Sequence, residues 1–265
     1  VRGKQVFLRV DLNVPLDDQF NITDDTRIRA VLPTLNYLLD EDARIVIGAH
    51  LGRPKGTVTP AFTLRPVATR LAELLGRGVV FATDAVGDAV TEAVSRAGPG
   101  GVVLLENLRF HPGETANDPA FAEALAAPAD CYINDAFGAA HRAHASTTGI
   151  VHHLREAAAG LLMAAELYHL GVLLESPPRP FVAILGGAKV SGKLEAIENL
   201  LGRIDTLLIG GAMAYTFFTA RGLRVGRSLV EAALVDATRT IERDAGRRGM
   251  RLELPSDHVV TDRLE

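Results

Sequence analysis

Short apolar runs alternate along the chain with longer stretches in which apolar residues recur every three or four positions. The runs at 5–10 (QVFLRV), 44–48 (RIVIG), 79–82 (VVFA), 102–105 (VVLL) and 131–134 (CYIN) predict strands. Several are apolar along almost their whole length, the pattern of strands buried on both faces of a parallel sheet. Between them, 27–39, 64–75, 85–97 and 119–126 predict helices, with Asp24, Asp25 and Thr26 as capping residues ahead of the first. A second series follows. An Ala- and Leu-rich stretch at 154–174 predicts a long helix, and SPPRP at 176–180 ends it, since proline cannot continue a helix. Strands at 181–185 and 206–209 and helices at 193–201, 212–219 and 229–247 come next, then strands at 251–254 and 258–261. Strand–helix alternation of this kind predicts an α/β fold built on parallel sheets. The boundary between two α/β units falls near 155–175.

Length and composition narrow this picture. The chain has 265 residues, which suits one large domain or two medium ones. Hydrophobic residues make up 48% and charged residues 23%, which excludes a disordered chain or a collagen-like repeat. A core of that size needs no disulfide or metal staple. The 28 basic and 32 acidic residues leave a formal charge of −4, so the chain is no general nucleic-acid binder. Any anion site is therefore a local cluster of cations. Cys131 is the single cysteine, which excludes an internal disulfide and a cysteine-based zinc site, fits a reducing location, and reads as a small buried hydrophobe. The most apolar stretch, 161–174, is interrupted by Glu166 and His169 and falls short of the roughly 20 apolar residues a membrane span requires. The first residues hold no signal-peptide core, and both termini lie beside strand-like runs, as if cut from a longer chain.

Ligands of open α/β sheets bind at the carboxyl ends of the strands. Asp11 and Asn13 follow the first strand, His50-Leu51-Gly52-Arg53 the second, Arg109 the fourth, and His141-Arg142 the fifth; Arg27 opens the first helix. Arginine offers a rigid fork of donors matched to phosphate and carboxylate oxygens. Arg27, Arg53, Arg109 and Arg142 together suit a small, multiply anionic metabolite, although each alone could be an ordinary surface arginine. Asp11 and Asn13 could bind a substrate hydroxyl or merely shape a turn ahead of Pro15.

The second series carries Gly186-Gly187-Ala188-Lys189-Val190-Ser191-Gly192-Lys193 between an apolar strand and a helix. Glycines let a backbone approach phosphate, and a helix start favours anions. Residues 187–194 nearly spell a P-loop, but Leu194 stands where the magnesium-binding hydroxyl belongs, which disfavours a P-loop kinase. Gly210-Gly211 follows the next strand and could border a base or ribose. His152, His153 and His169 lack accompanying ligand spacing and read as surface or interface histidines; Phe217 and Phe218 read as core or pocket wall.

Seven strings now stand in a recognisable order: VDLNVP (10–15), TRIRA (26–30), HLGRPKG (50–56), LLENLRFHPGE (104–114), NDAFGAAHRAHAS (134–146), GGAKVSGK (186–193) and LLIGGAMAYTF (207–217). Together they resemble the phosphoglycerate kinase family over nearly the whole chain. The resemblance implies two Rossmann-like three-layer α/β/α domains with mainly parallel sheets, the second incomplete. It places a phosphoglycerate-binding domain at 1–154, an interdomain helix at 155–175 and the first part of a nucleotide-binding domain at 176–265. It implies reversible phosphoryl transfer between 1,3-bisphosphoglycerate and Mg-ADP, giving 3-phosphoglycerate and ATP, with hinge closure bringing the domains together. By resemblance, Asp11 and Asn13 hold the glycerate end. His50, Arg53, Arg109 and Arg142, with Leu51, Gly52 and His141 beside them, hold the non-transferring phosphate and its neighbours. Arg27 and Lys189 face the transferring phosphoryl group, Lys193 meets nucleotide phosphate, and Gly187, Ala188, Gly210 and Gly211 line the nucleotide pocket. No residue is expected to ligate metal directly, because Mg²⁺ arrives on ATP or ADP. The resemblance also implies a cytoplasmic monomer that uses neither nucleic acid nor membrane.

Two departures are mild: Gly192 stands where the family usually has Asp, and Ala212 where a third glycine is usual. A larger one is expected at the end, where the family continues well beyond Glu265. The alternative reading is thus a phosphoglycerate-binding fragment without turnover.

Overall fold

The computed structural model describes residues 1–261. The chain divides into two compact units, Val1–Gly171 and Val172–Glu265. In the first, β1 (Gln5–Val10), α1 (Thr26–Asp40), β2 (Arg44–Gly48), α2 (Arg65–Leu75), β3 (Val79–Phe81), α3 (Asp88–Ala97) and β4 (Val102–Leu104) follow in order. They continue as α4 (Pro112–Ala116), α5 (Pro119–Ala126), β5 (Cys131–Asp135), α6 (Phe137–Ala140) and β6 (Ala157–Ala159). All six strands are parallel, in the order β3-β4-β2-β1-β5-β6. After β4 the chain crosses to the far side of β1, and this reversal of direction leaves a crevice at the carboxyl ends of the central strands.

Successive strand residues point to opposite faces, so one apolar strand serves two cores. Val6, Leu8 and Val10 pack with Ile45 and Ile47 against Ile28, Leu35 and Leu38 of α1 and Val67 and Leu71 of α2. Phe7 packs with Val46, Val103 and Tyr132 against Val90 of α3 and Phe121 and Leu125 of α5. The first unit is therefore a three-layer α/β/α sandwich, and the apolar runs are its two-faced strands.

Helix α7 (Leu161–Glu175) runs across the boundary into the second unit, which holds β7 (Val182–Leu185), α8 (Leu194–Leu200), β8 (Thr206–Ile209), α9 (Met213–Ala220), α10 (Val235–Arg247) and β9 (Arg251–Glu253). These strands too are parallel, in the order β7-β8-β9. Leu207 and Ile209 pack with Ile197, Met213, Phe217, Phe218 and Ile241. Among the described residues only that face of the sheet is covered, and Val182 and Ile184 on the other remain 44% and 74% exposed.

Four expectations need correction. The long helix begins at Leu161, not 154, because Ala157–Ala159 joins the sheet as β6 beside β5. Alanine is small enough for either element, and Gly160 ends the strand where a Cβ would stand 2.3 Å from Asp135 Oδ1. The helix expected from 229 starts at Val235, since Glu231 is drawn away to residues 190 and 191. Residues 258–261 form no strand, and Val259 and Val260 lie exposed. Asp25 occupies the cap position of α1 without a side-chain cap bond, because its carboxylate is taken by Arg29 and Arg70. Asp24 instead accepts from Thr26 N at 2.7 Å. Among the described residues no helix is long and apolar enough to cross a membrane.

Candidate functional site

The register Val10↔Asp135 and Arg9↔Gly48 brings the ends of β1, β2 and β5 level, and the loops that follow meet there. Asp11 Oδ2 accepts from Arg27 Nη1 at 2.6 Å, and its Oδ1 accepts from Asn13 N at 3.1 Å. Asn13 Oδ1 accepts from Gly52 N at 2.8 Å. The carbonyl of Gly52 in turn accepts from Arg109 Nη1 at 2.9 Å. A continuous chain thus runs from Arg27 through Asp11, Asn13 and Gly52 to Arg109, across three strand ends. Gly52 is required in it: its φ is +62°, and a Cβ would stand 2.5 Å from the ring of Phe62.

Beside this chain opens a cavity of about 530 Å³, lined by Arg53, Lys55, Arg109, Arg142 and His144 among others. Burial lowers the pKa of Arg109 from its usual value, and the charges of Arg142 and Arg9 add to the shift. The Arg109 Nε is buried with no hydrogen-bond partner in the described residues. An unpaired buried donor amid like charges is costly, and an anion in the cavity would offset the like charges.

A second buried layer supports the first. Arg9, the next-to-last residue of β1, is 1% exposed, with Nε donating to Ser146 Oγ at 2.9 Å. Glu114, fully buried, accepts from Ser146 N at 3.0 Å and Ser146 Oγ at 2.6 Å. Burial alone would push the Glu114 carboxyl up, but His144, Arg9 and Ser146 outweigh it and hold it below the usual carboxylate range. His144 Nδ1 stands 3.6 Å from Glu114 Oε1, beyond hydrogen-bond length. His50 lies 3.1 Å from Arg9, and burial together with Arg9, Arg109 and Arg142 pushes its pKa down to about 2.

Of the residues marked in sequence, Arg53, Arg109 and Arg142 share the cavity, and Arg27, Asp11, Asn13 and Gly52 share the hydrogen-bonded chain. Leu51 is buried and contributes its carbonyl to Asn107. His141 is exposed at the end of α6, and no contact ties it to the cluster. Sequence reasoning passed over Arg9, Lys55, Asn107, Glu114, His144 and Ser146. The signal for Arg9 was a cation inside an otherwise apolar strand.

In the second unit, Gly187 and Gly211 touch backbone to backbone. Their φ values are +143° and +69°, and a Cβ on Gly211 would meet Gly187 N and O at 2.8 Å. Met213 N donates to Gly187 O at 2.9 Å, which locks the two glycine loops together. Lys193 Nζ lies against Gly187, where an added Cβ would stand 2.8 Å from it. Lys189, Ala188 and Gly187 are exposed, and Gly210 follows β8. Glu231 accepts from Ser191 N at 3.1 Å and Ser191 Oγ at 2.6 Å, and also from Val190 N. The amides of Val190 and Ser191 are therefore satisfied internally, so the remaining groups free for an anion are Lys189, Lys193 and the exposed glycine backbone.

Fold and site together define a two-unit α/β protein with an arginine-lined anion cavity in one unit and a glycine–lysine loop in the other. The family model for phosphoglycerate kinase matches residues 1–265. A phosphoglycerate kinase of Gloeothece citriformis is 54% identical over all of this chain and 66% of its own length. Cytosolic phosphoglycerate kinase 3 of Arabidopsis thaliana is 53% identical, again over 100% of this chain and 66% of its own. The solved phosphoglycerate kinase of Coxiella burnetii superposes with a TM-score of 0.81 at 39% identity, covering 96% of this chain and 63% of that one. The chain belongs to the phosphoglycerate kinase family. It spans about two thirds of the length of the curated relatives it matches.

Proposed function

We propose that this chain carries the phosphoglycerate-binding unit and the glycine–lysine part of the nucleotide-binding unit of a cytoplasmic, monomeric phosphoglycerate kinase. The reaction is reversible transfer of a phosphoryl group between 1,3-bisphosphoglycerate and Mg-ADP, giving 3-phosphoglycerate and ATP. The observation that carries this reading is the cavity of about 530 Å³ at the strand ends, where Arg53, Arg109 and Arg142 converge and Arg109 Nε has no partner among the described residues. A multiply charged small anion is the ligand such a cavity suits.

In this reading Arg53, Arg109 and Arg142 take the non-transferring phosphate, while Asp11 and Asn13 orient the glycerate end. Arg27, half exposed and held by Asp11 at 2.6 Å, keeps donors free for the transferring group. Lys189 serves the same group, Lys193 meets the nucleotide phosphates, and Gly187, Ala188, Gly210 and Gly211 give their backbone to the nucleotide. Mg²⁺ supplies charge neutralisation on those phosphates. In this reading the ion would arrive on the nucleotide.

The chemistry asks little more of the protein. In the ATP-consuming direction the nucleophile is a carboxylate oxygen of 3-phosphoglycerate, already ionised at neutral pH. It bonds to the γ-phosphorus as the bond to the bridging oxygen breaks, and ADP leaves with that electron pair. No proton moves at the nucleophile, so positioning and charge stabilisation suffice. Arg27→Ala in the complete natural protein is expected to cut kcat by about 10²–10³-fold, with ADP affinity nearly unchanged. An unchanged kcat removes Arg27 from its role. In a coupled ATP-formation assay the complete protein is expected to turn over. The chain 1–265 binding 3-phosphoglycerate without turnover marks it as the binding fragment alone, and failure of both to bind refutes the reading.

A further inference from the structure

The buried groups around Arg9 set the state of one buried ring, that of His50. Arg9 Nη2 lies 3.1 Å from His50 Nδ1, while its Nε donates to Ser146 Oγ and its Nη1 to the Val10 carbonyl. Every guanidinium nitrogen carries hydrogen and offers no acceptor lone pair. Between Arg9 and His50, the donor is therefore Arg9, and Nδ1 must present its lone pair. A neutral imidazole with a free Nδ1 holds its proton on Nε2.

Arg9 has little freedom to do otherwise. Ser146 Oγ accepts from Arg9 and donates to Glu114 Oε1 at 2.6 Å, and Glu114 is fully buried. The Tyr132 hydroxyl donates to the Ser146 carbonyl at 2.9 Å, fixing that backbone from β5. The groups that act on His50 from the elements around it are Arg9 on β1, Arg109 after β4, Arg142 after β5, and Glu114 on α4. Three of these are cations that oppose a second proton on the ring, and only Glu114 favours one.

We propose that Arg9 is a positioning residue that holds His50 as a neutral ring with its proton on Nε2, and that Ser146 and Glu114 hold Arg9 for this purpose. The ring thereby keeps its N–H on the nitrogen away from Arg9, and in the phosphoglycerate reading that donor serves an anionic oxygen of the substrate. This rests on the phosphoglycerate reading for the identity of that substrate but not for the state of the ring. His50 then adds no charge to the site through about pH 5 to 8, the range in which an ordinary histidine titrates.

Long-range ¹H–¹⁵N spectra of the complete natural protein, without ligand, measure the state of the ring directly. His50 is expected to show a bare Nδ1 and a protonated Nε2 at every pH across that range. A proton on Nδ1, or a titration midpoint inside the range, overturns the proposal. Arg9→Lys keeps the charge but cannot bridge Ser146 and His50 with one planar fork, and is expected to give mixed tautomers; an unchanged ring also overturns the proposal. Should that variant fail to fold, two substitutions of His50 itself decide. His50→Gln places an amide donor near the Nε2 position and His50→Asn near the Nδ1 position. The Asn variant is expected to bind 3-phosphoglycerate about tenfold more weakly than the Gln variant, the effect of one hydrogen bond to a charged group. Equal losses, or the reverse order, count against the proposal. If wild type fails to bind 3-phosphoglycerate at all, the substrate reading falls, while the ring measurement still judges Arg9.

Discussion

Asn107 shows how a single side chain holds two loops of the site in register. It is fully buried, donates to the carbonyls of Leu51 and Phe62 at 2.7 and 2.9 Å, and accepts from Arg109 N at 3.1 Å. Asn107→Ala leaves one buried and two partly buried backbone groups short of partners and is expected to cost about 1–3 kcal/mol, read from the denaturant midpoint. It should also weaken 3-phosphoglycerate binding, because Arg109 and the Gly52 loop lose their common anchor; unchanged binding in the folded variant counts against that link. At this scale the sequence is most legible where residue type and position agree. Arg53, Arg109 and Arg142 follow strand ends, and the fold brings them to one cavity. Arg9 and Glu114 were harder to see, because one sits inside a strand and the other in a short helix, and only tertiary packing joins them through Ser146. His141 illustrates the opposite failure: its neighbour Arg142 lines the cavity, while His141 itself is exposed.

At the scale of elements, the loop before α8 owes its shape to a residue 40 positions away, since Glu231 accepts from the amides of Val190 and Ser191 and from the Ser191 hydroxyl. The Ser191 hydroxyl is the main cause holding the Glu231 carboxyl below its usual value, helped by the two amides and by Lys189. A carboxyl depressed by folding stabilises above its unfolded pKa and loses that contribution as pH falls through the folded value. The loop is therefore expected to stay protected at neutral pH and to loosen below about pH 4. Lower protection factors at the Val190 and Ser191 amides, each corrected for the intrinsic exchange rate at its pH, should report it, and Glu231→Gln should show the lower protection already at pH 7. Identical exchange in both proteins would show that Glu231 does not shape the loop. The same contact explains why the helix expected from 229 starts later: the pattern of apolar residues continues, but Glu231 is turned toward the loop. Likewise, three alanines carry no signal that separates β6 from the start of α7; the pairing with β5 decides it.

For the molecule as a whole, the alternation of strands and helices was legible because the central apolar runs of the first sheet serve two cores, and the strands of the second sheet and the helices one. The order of strands was not, since the pattern says that a strand is buried and not which neighbours bury it. The two units carry separate candidate sites, which predicts separate responses. In hydrogen-exchange measurements, 3-phosphoglycerate should slow exchange at Gly52, Arg109 and Arg142 in the first unit, and ADP at 187–193 and 210–211 in the second. Protection of the first unit by ADP alone would contradict the assignment.

The place of β1 in its sheet has a further consequence, for how the chain is made. It is the first strand in sequence and stands between β2 and β5 at the centre. Gln5 finds Asp130, beside its second partner strand, only 125 residues later. A ribosome adding about 5–20 residues per second releases β1 roughly 6–25 s before that neighbour exists. Throughout that interval one edge of an apolar strand has nothing to pair with, and closing so long a loop is slow even afterwards. The strand that carries Arg9 and leads to Asp11 is thus the first part of the site to be synthesised and among the last to be enclosed, so the nascent chain most needs shielding from its neighbours at the segment on which the finished site is built.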